Sequence, residues 1–118
     1  MKFALTELLS KRPLPATKAW PEGVWDVEAF AHGSMSLIAF TPRGKDYQTT
    51  HAQDEIYIVH RGHGVLLVGE EEFSFVAGDA LFVPANVVHR FVEFSDDLVT
   101  WAVFWGPSGG ESPHANAD

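Results

Sequence analysis

Three side chains in this sequence are of types that hold a divalent cation: His51 and Glu55, four residues apart, and His89, which follows Pro84-Ala85-Asn86-Val87-Val88. Imidazole nitrogen and carboxylate oxygen are donors for first-row divalent metals, at bond lengths of about 2.0–2.2 Å. The spacing limits how His51 and Glu55 could share one ion. On a straight strand, residues four apart face the same way but stand roughly 13 Å apart, which is too far. A helix would bring them together, but Ile56, Ile58 and Val59 follow at once and β-branched side chains disfavour that helix. The remaining solution is a tight turn at Ala52-Gln53-Asp54, with His51 ending one strand and Glu55 opening the next. His89 would then join from a later strand.

The rest of the chain supplies the strands this needs. Thr6 to Lys11 reads as a short helical turn ended by Pro13 and Pro15, which lack backbone donors. Val24 to Ala31, Ser34 to Thr41, Glu55 to His60, Val65 to Val68, Phe73 to Val76, Ala80 to Val83, Val88 to Phe94 and Leu98 to Trp105 read as strands. His32-Gly33, Gly69-Glu70, Ala77-Gly78-Asp79 and Ser95-Asp96-Asp97 mark turns between them. Eight short strands at this spacing imply an all-β sandwich or closed barrel. The division expected is an N-terminal arm over 1–20, one barrel domain over 21–106, and a disordered tail over 107–118.

Bulk composition narrows the function. At 118 residues the chain fits one domain with a real core. It has no cysteine, which excludes thiolate metal sites and cysteine nucleophiles. Sixteen acidic residues against eight basic ones give a net charge of −8, which disfavours nucleic acid and anionic membranes as partners. The start of the chain has no cleavable signal pattern, since Glu7 interrupts its short apolar stretch, and a cytoplasmic location is expected.

The stretch His51-x3-Glu55-x6-Gly62 resembles the later part of the first cupin motif, and Gly78-x5-Pro84-x-Asn86-x2-His89 resembles the second. The resemblance spans Thr49 to Glu93. It implies a double-stranded β-helix (jelly-roll) barrel, usually a homodimer, with a metal inside. Thr49 stands where the family usually has a first histidine, and Arg43 where a glycine usually precedes it. Asn86 replaces a usual glycine, a position asparagine can fill because it tolerates left-handed backbone angles. Glu93 stands where the second motif usually ends in asparagine.

With Thr49 in that place, His51, Glu55 and His89 form a two-histidine, one-carboxylate set. Non-haem iron(II) oxygenases use such a set. Iron(II) is therefore the favoured metal, with manganese, nickel and zinc as alternatives. Two further residues are candidates for catalysis. Glu93 shares the parity of His89 and Phe91 on an alternating strand, which would turn it inward as an acid or base; a strand that frays toward Asp96-Asp97 would instead leave it wet and paired with Arg90. Tyr57 shares the parity of Glu55 and would be either a proton donor in the pocket or a packed core tyrosine. Two functions fit: a small-molecule enzyme, either an oxygenase or a metal-dependent isomerase or lyase, and a non-catalytic barrel that binds a small ligand as sensor or carrier. Either takes a small molecule as its partner. His60 and His63 read as surface histidines, and His32 and His114 carry no assignment.

Overall fold

Runs of β-branched and aromatic residues fold as the strands they favour. The computed structural model describes residues 1–112. One short helix, α1 (Leu5–Leu9), precedes eight strands: β1 (Asp26–His32), β2 (Met35–Phe40), β3 (Asp54–Arg61), β4 (His63–Val68), β5 (Glu71–Val76), β6 (Ala80–Val83), β7 (His89–Phe94) and β8 (Val99–Trp105). Every pairing is antiparallel. The strands form two sheets, ordered β1-β2-β8-β3-β6 and β5-β4-β7.

The core lies between the sheets. Phe40, Tyr57, Val59, Leu81, Val83 and Ala102 come from the larger sheet; Leu66, Phe75 and Phe91 come from the smaller. Strand β3 shows the alternation behind this: Glu55, Tyr57 and Val59 are buried, while Ile58 between them is exposed. A second cluster forms on the outside of the larger sheet, where α1 sets Leu8 against Val27 and Ala39. The helix is thus a cover for an apolar outer face, and it lies one residue earlier at its start than the expected Thr6 to Lys11.

Two glycines serve the joint between the sheets and the close pairing of β4 with β7 within the smaller one. Gly62, with φ +95°, carries the chain from β3 to β4, and so from one sheet to the other. At Gly64 an added Cβ would sit 2.2 Å from the Glu93 carbonyl oxygen and 2.7 Å from Phe94 Cα. Backbone cannot yield as a side-chain tip can. Gly64→Ala is therefore expected to cost about 1–3 kcal/mol as an overpacking change. For a chain of this size that lowers the melting temperature by roughly 4–12 °C, which a thermal melt measures.

The structure changes two sequence expectations. No strand ends at His51: residues 41–51 form an irregular loop, and β3 begins three residues later. The Thr41 hydroxyl ties the loop's start to the Trp25 carbonyl at 2.7 Å, and the Arg43 guanidinium donates to the Leu98 carbonyl at 2.8 Å. The second change concerns Glu93. Opposite β7, Val65 pairs with Glu93 and Leu66 with Phe91, so Val92 is an extra residue at a bulge. The bulge reverses the parity: Phe91 points into the core, Glu93 is exposed, and Phe94 packs against the core again. Glu93 lines a separate depression with His63 and Ser74.

Of the tail expected to be disordered, residues 107–112 lie against the barrel. Gly109 N–H donates to the Ala52 carbonyl at 2.7 Å, and Glu111 N–H to Asp54 Oδ2 at 2.9 Å. Residues 113–118, His114 included, lie outside the described residues.

Candidate metal centre

The two motif segments are brought together by their backbones. Asn86 N–H donates to the His51 carbonyl at 2.7 Å, and Ala85 N–H donates to Asp54 Oδ1 at 2.9 Å. Asn86 takes φ +65°, the left-handed angle expected of it, and is the one non-glycine residue to do so among those described. This turn sets the loop carrying His51 beside the start of β7, where His89 stands. Glu55 faces inward from β3. Donor atoms of His51, Glu55 and His89 all lie within 4.8 Å of one another. It is the one such cluster of three found among the described residues.

The donor set fits a divalent cation. Glu55 and His89 are each only 2% exposed. His89 Nε2 and Glu55 Oε1 stand 3.2 Å apart, yet both are buried without a hydrogen-bond partner of good geometry. Orphaned buried donors and acceptors cost free energy, and an ion held by both atoms removes that cost. His89 Nδ1–H donates to the Val87 carbonyl at 3.0 Å, which fixes the tautomer and leaves the Nε2 lone pair facing Glu55.

Burial and the neighbouring groups set the protonation of the site. Burial, with His89 beside it, pushes the His51 pKa down to about 4, so its imidazole is neutral and able to ligate at neutral pH. Burial holds Glu55 above the usual carboxylate value, although His89 works against that shift. Burial disfavours the charged form of His89, but Glu55 and the Val87 carbonyl outweigh it and raise its pKa. Burial, with Glu55 and Asp46 nearby, raises Tyr57 well above the usual phenol value, so its hydroxyl keeps its proton.

Two loop residues that the spacing did not suggest support the triad. Asp46, 3% exposed, accepts from Phe91 N–H at 2.8 Å and from Gln48 N–H at 3.0 Å. It also accepts from the Gln48 side-chain amide at 2.5 Å. That fixes the amide, so its Oε1 turns toward the site, 3.1 Å from the Tyr57 hydroxyl and 3.4 Å from His51 Nε2. Gln48→Ala should weaken metal affinity by about 10–100-fold, as loss of an orienting partner does. A chelator-competition titration reads this directly.

His51 and Glu55 of the triad open on a cavity of about 310 Å³. His51, Glu55, Gln48 and Thr49 line it on one side, and Trp20, Phe40, Tyr47 and Phe104 form apolar walls. Thr49 is exposed at the cavity and belongs to no ligand cluster. Tyr57 lies behind Gln48 and Glu55, fully buried, and edges against Phe91. His32, His60 and His63 are exposed and outside the cluster.

Comparison with known proteins agrees with fold and motif. Residues 36–105 match the cupin domain family, and the chain belongs to that family. It is 39% identical over 74 residues to an uncharacterized protein of Streptomyces coelicolor, a match covering 63% of this chain and 70% of that protein. It is 35% identical over 91 residues to acireductone dioxygenase 1 of Pectobacterium atrosepticum, a match covering 64% of this chain. The chain spans about half of that dioxygenase, 52% of its length. Among solved structures, a cupin from Shewanella frigidimarina superposes with TM-score 0.57 at 19% identity, covering 70% of this chain and 75% of that one. That likeness is one of fold. No helix among the described residues is long and apolar enough to cross a membrane.

Proposed function

We propose that this cupin is a metal-dependent small-molecule enzyme of the oxygenase kind, with iron(II) held by His51, Glu55 and His89. The observation that carries the reading is a two-histidine, one-carboxylate set in which the buried Glu55 and His89 carry orphaned polar atoms, and of which His51 and Glu55 line a small, largely apolar cavity. Iron(II) bound by such a set leaves positions for dioxygen and a substrate oxygen. The three ligands hold the charge in place, and His89 is oriented by the Val87 carbonyl. Phe40, Phe104 and Trp20 exclude water from the reacting side of the site. Tyr57 keeps its proton and gives a hydrogen bond toward Gln48.

An isomerase or lyase version would move a proton with Glu93, which stands in a different depression from the triad, or with Tyr57, whose hydroxyl is buried against Gln48. The likeness to a dioxygenase favours the oxygenase version. The test is dioxygen uptake by protein loaded anaerobically with iron(II) and offered a panel of small enols, diols and phenols. Substrate-dependent uptake that manganese, nickel and zinc do not reproduce supports the reading. Turnover without dioxygen on several metals points to an isomerase or lyase. Tight binding without turnover points to a sensor or carrier.

A homodimer is part of the same proposal. Ile58 and Phe82 are exposed on the outer face of β3 and β6, with Phe82 near Trp105, and a second copy is the occupant proposed for that face. Light scattering that gives twice the chain mass supports it, and a monomer at micromolar concentration contradicts it.

A further inference from the structure

The cavity contains a carboxylate that neither the metal ligands nor the fold employs. Asp26 opens β1 directly opposite Phe40 on β2, so it shares the inner face with a core residue, while its neighbour Val27 packs outward against α1. Its Oδ1 is buried and has no hydrogen-bond partner among the described residues. The residue lines the same cavity that Glu55 and His51 line. Burial raises the Asp26 pKa; its own backbone N–H opposes the shift and Asp46 adds to it. An acceptor left unpaired in an apolar wall is costly to the fold, and a ligand that donates to it removes that cost.

The rest of the cavity limits what such a ligand can be. No lysine or arginine lines it; its ionisable groups are Asp26, Glu55, His51 and the phenol of Tyr47. Trp20 stands edge-on to both Phe40 and Tyr47, at ring separations of 6.1 and 5.9 Å, and this leaves flat apolar walls. At about 310 Å³ the space is at the small end for ligand sites. A ligand with an anionic group away from the metal would place that charge in an apolar space near Asp26 with no cation to receive it.

We propose that Asp26 anchors the substrate, and that the substrate is a small neutral or cationic molecule with a flat apolar body and an amino or hydroxyl group that donates to the Asp26 carboxylate. The inference rests on the reading of this cavity as the substrate site of a metal enzyme. Asp26 and the triad then hold the two ends of one ligand, with the aromatic walls between them.

Three catechols with the same chelating head and different side groups test this: dopamine, 4-methylcatechol and protocatechuate. Their binding is measured by calorimetry on the zinc-loaded protein and by ligand-observed NMR on the metal-free protein. Dopamine is expected to bind tightest and protocatechuate weakest, with a spread of about tenfold or more, as hydrogen bonds to charged groups give. The net charge of −8 favours any cation to some degree. The deciding comparison is therefore Asp26→Asn, which should collapse the spread and leave zinc stoichiometry unchanged.

Protocatechuate binding as tightly as dopamine overturns the proposal. So does an unchanged spread in Asp26→Asn, or no binding of dopamine and 4-methylcatechol to either form. If Asp26→Asn does not fold, Asp26→Ser carries the same comparison. A wild-type protein that takes up no zinc overturns the metal reading instead, and the wild-type and variant spreads on metal-free protein still decide the role of Asp26.

Discussion

His89→Ala is expected to lower affinity for a divalent metal by more than about 100-fold, beyond what loss of an orienting partner costs. The substitution removes one of three donors and also the group that offsets the burial of Glu55. Glu55 would then keep its proton to higher pH, and a protonated carboxyl is a poor ligand. Thermal melts with and without metal measure the effect. A ligand at 100 times its dissociation constant stabilises a protein by about 2.7 kcal/mol. For a chain of this size that is a rise of roughly 10 °C in the wild type, and at most about 2 °C is expected in His89→Ala at the same metal concentration. Equal shifts in both proteins would place the metal elsewhere.

The largest expected effect on folding is at Phe91. Its side chain is 2% exposed, and its ring lies 5.0 Å from Tyr57, 5.4 Å from Phe75 and 6.0 Å from Phe40. These partners come from both sheets, so the ring joins the two layers. Phe91→Ala leaves a cavity there and should cost about 3–5 kcal/mol. The melting temperature should fall by roughly 12–20 °C in the metal-free protein. A loss under about 1 kcal/mol would mean the layers close over the gap or pack differently from this description. The Phe91 backbone N–H holds Asp46 in either case, so metal affinity should fall much less than in His89→Ala.

The strands were legible because local composition and turn residues specify them: all eight segments read from the sequence became strands, with ends displaced by up to two residues. The triad was legible because its residue types and the two motif spacings point to one site, and the three donors do lie together; the strand expected to end at His51 is instead an irregular loop. Glu93 was misplaced because alternation assumes unbroken pairing. A bulge is a property of two strands together, and nothing within His89–Phe94 marks Val92 as the extra residue.

Asp46 and Gln48 escaped notice for a related reason. They lie in an irregular loop, and their roles depend on Phe91 and Tyr57 meeting that loop in space. Asp26 did leave a signal: a carboxylate amid the apolar residues that open β1. Only its pairing with Phe40 shows that it faces inward.

The measurement that tests the central claim most directly is the metal content of protein purified without added metal, beside His51→Ala/His89→Ala prepared identically. About one divalent transition metal per chain in the wild type and almost none in the variant is the expected result. A wild-type protein that stays metal-free, even after incubation with iron(II), manganese, nickel and zinc, would contradict the account and leave a barrel that binds its ligand without a metal.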